Sequence, residues 1–191
     1  MLVTVGAPRP AAIDRVLADA SAASPTYDQV GASLTGDLPA GYRHDRWSVA
    51  LGSGAEVFDR AVAGLRRWEG HRHAGIAVHP ADTPPAAGAD VALVIPVGPL
   101  TLTVANRIVA VVDEDRRFAV VYGTLPGHGE QGEEAFVINR HDGDAVTFDI
   151  VAFSRPVGLS RFGAPAVRRL QQRATGRYLS GLQRFVEGDA P

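Results

Sequence analysis

The chain has no cysteine, which removes disulfides, thiol nucleophiles, iron–sulfur clusters and cysteine-ligated zinc together. It has no lysine either, so all 19 basic residues are arginine. Schiff-base chemistry, pyridoxal-phosphate attachment and the phosphate lysine of nucleotide-binding loops are thereby excluded. The abundance of Ala, Gly, Pro and Arg fits a GC-rich coding bias, and the chemical exclusion holds whatever its origin. No apolar run approaches the roughly 20 residues that a membrane-spanning helix needs. The opening MLVTVGAPRPAAIDRV lacks the basic start and long apolar core of a secretory signal, so a cytoplasmic protein is expected. A net charge of −2 gives no general attraction for nucleic acid, and none is expected as a partner.

What is present is ordinary for a globular protein: 191 residues, 46% hydrophobic and 21% charged, read as a single domain over 1–191. The segment PAAIDRVLADA, 10–20, has Pro at its start and Ile13, Val16, Leu17 and Ala20 at helical spacing. An ordered connection is expected to follow, up to about Tyr42. RHDRWSVALG, 43–52, reads as a strand, and Ser53 with Glu56 has the capping-box pattern for a helix over SGAEVFDRAVAGLRRWE. Val57, Phe58, Ala61, Leu65 and Trp68 share one face of that helix, which makes Trp68 a core residue.

Strand candidates then follow in close succession: AGIAVHP, ADVALVIPV, LTLTVANRIVAVVD, RRFAVVYGT, EEAFVINR and AVTFDIVAFS. DEDR and HDGD supply tight hairpins, the second through Gly143. Such connections argue for an antiparallel meander and against a parallel nucleotide-binding sheet. GAPAVRRLQQRATGRYLSGLQRFVEG closes the chain as one long helix, with Pro165 in its first turn and Val167, Leu170, Ala174, Tyr178, Leu182 and Phe185 as its apolar stripe. Its five arginines read as a solvated face. The expected fold is α+β, a curved antiparallel sheet of about six or seven strands gripping a long C-terminal helix. That order of elements resembles the START-like superfamily, also called helix-grip, SRPBCC or birch-pollen-allergen-like.

A second resemblance lies in the words YGTLPGH (122–128), GEEAF (132–136) and FSRP (153–156), with LGSGAEVF and RRWEGHRHAG. As a set, spanning roughly Tyr27 to Phe185, they are similar to a family of uncharacterised bacterial and plant domains, a domain of unknown function. Gly129 stands where that family has a proline. The resemblance implies a fold neighbourhood and brings no reaction with it.

The chemistry-bearing residues are few. His71-x-His73, His79, His128 and the Glu133-Glu134 pair offer nitrogen and oxygen ligands, but spacing places no third ligand, and no metal or cofactor is expected. On a strand Glu133 and Glu134 point to opposite faces, and Glu134 shares the parity of Phe136 and Ile138. Glu134 is thus either a carboxylate with a raised pKa facing a cavity, or a structural partner of an arginine such as Arg107 or Arg155 or of backbone N–H groups. Asp149 lies in a strand with apolar neighbours on both sides. Ser154 lacks the glycine-flanked elbow of a hydrolase nucleophile, and Ser154-Arg155-Pro156 leads toward the long helix. The first expectation is a small, largely apolar ligand held between sheet and helix, with Tyr122, Glu134, Arg107 and Arg155 as the nearby polar groups. The alternatives are a cofactor-independent lyase, isomerase or cyclase using Glu134, His128 or Tyr122 in that cavity, and an interaction or oligomerisation module with no ligand.

Overall fold

A computed structural model of the chain describes residues 1–81, 83–158 and 164–188. In chain order its elements are β1 (Leu2–Val5), α1 (Pro10–Ala20), α2 (Ala32–Thr35), β2 (Arg43–Ser53), α3 (Ala55–Arg66), α4 (Glu69–His73), β3 (Ala77–His79), β4 (Asp90–Val97), β5 (Leu100–Glu114), β6 (Arg117–Thr124), β7 (Glu130–Arg140), β8 (Ala145–Pro156) and α5 (Ala164–Glu187). The strands form one antiparallel sheet, ordered β2-β8-β7-β6-β5-β4-β3, with β1 added beside β5. The expected α+β sheet and long C-terminal helix are present. The sheet has eight strands, because the four residues of β1, too short to carry a period, pair with Leu100–Thr103. Register shifts at Ala50/Gly52 and Ile108/Ala110 bend β2 and β5.

The inner face of the sheet packs against α3, α4 and α5. Phe118, Val120 and Tyr122 of β6, Phe136 and Ile138 of β7, and Phe148 and Ile150 of β8 alternate inward, where they meet Phe58, Leu65, Trp68, Tyr178 and Leu182. The outer face carries small residues, Ala119, Val121 and Ala135, under Leu34, and Ala105 with Leu125 under α1. Strand β6 is therefore buried on both faces, which is why RRFAVVYGT reads as an unbroken apolar run.

Three local expectations are corrected. Ser53 ends β2 and the helix N-cap is Gly54, with no side-chain cap bond, so the Ser53–Glu56 box does not form. The helix also stops at Arg66. Trp68 adopts a left-handed conformation at φ 60, starts the separate turn of α4 and still reaches the core. In the HDGD hairpin the left-handed residue is Asp144 rather than Gly143; the Asp144 N–H donates to His141 O, and its carbonyl accepts the Gly54 N–H. The expected stripe members Val167 and Leu170, with Pro165, lie outside the described side chains; Tyr178 and Leu182 are buried as expected, Ala174 and Phe185 are half-buried, and Val186, outside the expected stripe, is buried.

The region after α1, read only as a connection, is pinned by one side chain. Glu133 points outward from β7 and accepts hydrogen bonds from the Tyr27 hydroxyl (2.8 Å), the Gly31 N–H (2.7 Å), the Ser33 N–H (2.9 Å) and the Ser33 hydroxyl (2.6 Å). The ring of Tyr27 lies so close to Gly123 that a Cβ there would stand 1.8 Å from its hydroxyl. Glu133→Gln turns an amide toward donors and is expected to lower stability by about 2–4 kcal/mol. Urea unfolding at neutral pH, with proteolysis between Tyr27 and Thr35 as a local readout, measures the loss; an unchanged midpoint would show that the carboxylate does not hold this segment.

Candidate functional site

Between the inner face and α5 lies a pocket of ≈ 420 Å³. Its walls are mainly aliphatic and come from β4, β5, β8 and the chain after α4: Leu93, Ile95, Leu102, Val104, Ile150 and Ile76. The polar groups sit in two cross-strand rows. In the first, register aligns Ile108, Tyr122, Glu134, Ala152 and Asp45. In the second it aligns Asn106 with Thr124, and Gly132 with Ser154 and Arg43.

Glu134 is the acid of the first row. It accepts a hydrogen bond from the Tyr122 hydroxyl at 2.9 Å, and no arginine pairs with it among the described residues. Burial pushes its carboxyl up; the Tyr122 bond opposes that, the charge of Asp45 adds to it, and the result is about 7. Tyr122 touches His71 Nε2 at 3.2 Å and interacts with the hydroxyl of Tyr178 on α5. Burial, then the charge of Glu134, raises the Tyr122 hydroxyl well above its ordinary value. His71 is fully enclosed by Trp68, Tyr122, Phe136 and Tyr178, with ring centroids 4.5 to 5.9 Å away, and burial holds it neutral, down to about 3. A neutral His71 that donates Nε2–H to the Tyr122 oxygen leaves the single Tyr122 proton for Glu134.

Asp45 is compensated differently. Burial pushes its carboxyl up, but hydrogen bonds from Arg168 (2.7 Å to each oxygen) and Arg43 (3.0 Å) outweigh this and hold it below the usual range. Arg43 also donates to Ser154 Oγ at 2.9 Å and to Gln171 Oε1 at 2.7 Å, so this group ties β2 and β8 to the first half of α5. Two more polar atoms in pocket-lining residues, Asn106 Nδ2 and Glu130 Oε2, are buried without a partner among the described residues.

The structure gathers some of the candidates and separates others. Tyr122, Glu134 and His128 line the pocket. His128 is half-buried; desolvation pushes its imidazole down to about 4, the chain N-terminus adds to this, and Nδ1 accepts the Glu130 N–H at 2.9 Å. Arg107 is on the outer face, its guanidinium committed to Asp90 (2.7 and 2.9 Å) and to the carbonyls of Ala23 and Ser21. Arg155 is also directed outward, donating to Gln131 Oε1 and lying 4.5 Å over the Tyr42 ring. Neither arginine lines the pocket. The structural-carboxylate reading thus describes Glu133, one residue away. Asp149 forms an outer-face network with Ser48, Asn139 and Thr147.

His71 and His73 lie on α4, so two-residue spacing sends His71 inward and His73 to solvent. Among the described residues no group of three His, Asp or Glu side chains is arranged to hold a metal. Sequence reading missed the roles of His71, Tyr178, Asp45, Arg43 and Arg168 in the site. Parity in RHDRW signals the Arg43, Asp45 and Trp47 set, but nothing local pairs it with Arg168.

The domain-of-unknown-function family DUF1990 matches residues 26–181. The chain belongs to that family. A UPF0548 protein of Deinococcus radiodurans is 35% identical over 188 residues, covering 93% of this chain and 95% of that protein. Among solved structures, Ara h 8.0201 superposes with a TM-score of 0.50 at 12% identity, over 78% of this chain and 99% of that one. A START superfamily protein from Mycobacterium smegmatis gives 0.49 at 14% identity, over 78% and 100%. The START-like, birch-pollen-allergen-like fold is the one expected from the order of elements. Members of the DUF1990 family occur outside bacteria as well, as in Dictyostelium discoideum, where a UPF0548 protein is 34% identical over 143 residues.

The pH dependence of stability follows from these groups. With its folded pKa near 7 against 4.5 unfolded, Glu134 binds more protons in the folded state, so its contribution falls as pH rises from about 4.5 to 7. His71 and His128, depressed from 6.5, act oppositely, and their contribution is lost as pH falls below 6.5. Comparison with Glu134→Gln isolates the acid. The variant is expected to be more stable than the parent at pH 8 by about 1–3 kcal/mol and to match it near pH 5. Thermal melts at both values test this, and a difference that does not change with pH would contradict it.

Proposed function

We propose that this DUF1990 domain binds a small, largely apolar molecule between the sheet and α5, with Glu134 and Tyr122 as its polar anchor. The observation that carries this is a void of ≈ 420 Å³ with mainly aliphatic walls and an acid that no cation neutralises among the described residues. Its volume is that of a small-molecule site rather than of a packing defect, which rarely exceeds a few waters of about 30 Å³ each. A fold held shut for interaction alone has no need of such a void, so the module without a ligand is the weakest of the three readings. The START-like likeness supports the same reading at the level of fold.

Glu134 offers two chemistries to the bound molecule. Ionised, it accepts a hydrogen bond from a ligand hydroxyl or N–H; protonated, it donates to a carbonyl. A second reading, proton transfer in the same pocket, is favoured by one observation. Glu134 is poised near pH 7 and joined by its hydrogen bond to Tyr122, itself backed by His71 and Tyr178. In that reading Glu134 carries the proton, Tyr122 orients the substrate and His128 is a neutral wall.

Native mass spectrometry of the protein as purified should show an adduct of a few hundred daltons that is absent after denaturation. Leu93→Trp, which fills the aliphatic wall, should abolish it. Glu134→Gln separates the two readings once the adduct is identified. A carrier keeps its affinity within about tenfold, the scale of one hydrogen bond. An enzyme keeps its affinity but loses turnover by at least about a hundredfold. A purified protein without any adduct, and indifferent to the filled pocket, would refute both.

A further inference from the structure

Four of the five arginines of α5, Arg169, Arg173, Arg177 and Arg184, stand at steps of four, four and seven residues. At about 100° per residue they fall in one sector about 80° wide and extend about 22 Å along the axis. The opposite side of the helix buries Tyr178, Leu182 and Val186. All four are exposed, and among the described residues none has a carboxylate within ion-pair distance. The one glutamate of the helix, Glu187, accepts from Gln183. Like charges at i, i+4 repel and weaken a helix, so the stripe is not a device for stability. It stands on a chain whose net charge is −2, and so is a local feature rather than part of a generally basic surface.

The second observation is on the sheet side of the pocket. Lining residues that are also exposed mark its mouth: Arg173, Arg177 and Gln172 on the helix, Trp47 on β2, Met1 just ahead of β1 and Pro96 on β4. Beyond Met1 the rim continues as exposed aliphatic residues, Val3 at 48%, Val5 at 82% and Leu100 at 39%. Register aligns Val5 with Leu100 and Val97, and Val3 with Leu102 and Ile95, so these side chains share the face that lines the pocket. The mouth therefore has a cationic side and an aliphatic side.

We propose that this face docks on an anionic lipid bilayer, with the arginine stripe on the lipid phosphates and Val3, Val5 and Leu100 entering the headgroup boundary. A stripe of about 22 Å is far longer than one small anion and matches an extended charged surface. A nucleic-acid backbone would satisfy the arginines but leave the aliphatic rim in water; a bilayer interface satisfies both. The mouth then opens against the bilayer. Exchange of a pocket ligand with the lipid rests on the function proposed above, whereas the docking surface does not.

The test is sedimentation of the whole chain with mixed phosphatidylcholine–phosphatidylglycerol vesicles and with pure phosphatidylcholine vesicles. Binding is expected to the mixed vesicles only and to weaken with added salt. Arg173→Gln with Arg177→Gln should lower the partition roughly 25-fold, about fivefold for each arginine. Val5→Ser with Leu100→Ser should lower it without changing its salt dependence, and circular dichroism checks that both variants stay folded. Failure to bind either vesicle overturns the proposal. So does unchanged binding by the arginine variant, binding of heparin or RNA without vesicles, or a dimer in solution that Arg173→Gln with Arg177→Gln dissolves. Because copurified ligand is read by mass and docking by sedimentation, loss of one leaves the other measurable.

Discussion

Two adjacent glutamates on β7 share one chemistry and meet opposite conditions, and the arrangement around the pocket depends on that alternation. Glu133 faces outward, where four donors from the segment after α1 saturate its carboxylate. Those bonds fix the register of β7, because a slip of one residue would exchange the faces of every side chain in the strand. With Glu133 held, Glu134 must point inward, among aromatic and aliphatic residues, with the Tyr122 phenol as its one hydrogen-bond partner among the described residues. The fully bonded acid stabilises the fold. The under-bonded one keeps a free valence for something else.

A pocket survives beside such a core because the helical layer closes at one end only. Helices α4 and α5 approach so nearly that a Cβ on Gly181 would lie 2.3 Å from the Cβ of His73. At that end Trp68, His71, Phe136 and Tyr178 pack ring against ring. Toward its N-terminus α5 meets the sheet through polar side chains, with Arg168 on Asp45 and Arg43 on Gln171. Such long side chains hold the helix off the sheet, where aliphatic contacts would draw it in. Aromatic closure at one end and an ionic strut at the other leave room between them for the pocket.

Nearly all of the fold was legible in the sequence, because periods of 2 and 3.6 residues survive in every long element. α1 and β4 to β8 lie where alternation and hairpin residues put them. The elements that were not legible, β1, α2 and α4, have four or five residues each, too few to establish a period. The capping box failed for a tertiary reason: pairing with β8 extends β2 through Ser53, so the cap passes to Gly54. For the site, parity is the usable signal. It places Glu134 on the side of Phe136 and Ile138. Applied equally to ANRIV and AFSRP, it would have turned Arg107 and Arg155 outward, since Asn106 and Ser154 take the inward positions. His71 and Tyr178 reach the same hydroxyl from different helices, and Arg168 reaches Asp45 across more than a hundred residues; no local spacing encodes such meetings.

The direction of the hydrogen bonds sets what the assembled site can do. Tyr122 has one proton to give and two acceptors beside it, Glu134 and the Tyr178 hydroxyl, while a neutral His71 supplies a donor from behind. When Glu134 is ionised, the Tyr122 proton is drawn to it and the carboxylate presents only acceptors to the pocket. When Glu134 is protonated, the acid acquires a proton of its own, and Tyr122 is free to turn its proton toward Tyr178. His71 remains neutral throughout, because its depressed pKa keeps the second proton out of the ring. One proton, exchanged close to neutral pH, therefore changes what the pocket wall offers from acceptor to donor without moving an aliphatic side chain. The raised pKa depends on these surroundings rather than on Glu134 alone, since the same acid beside Arg107 or Arg155 would stay ionised at every physiological pH.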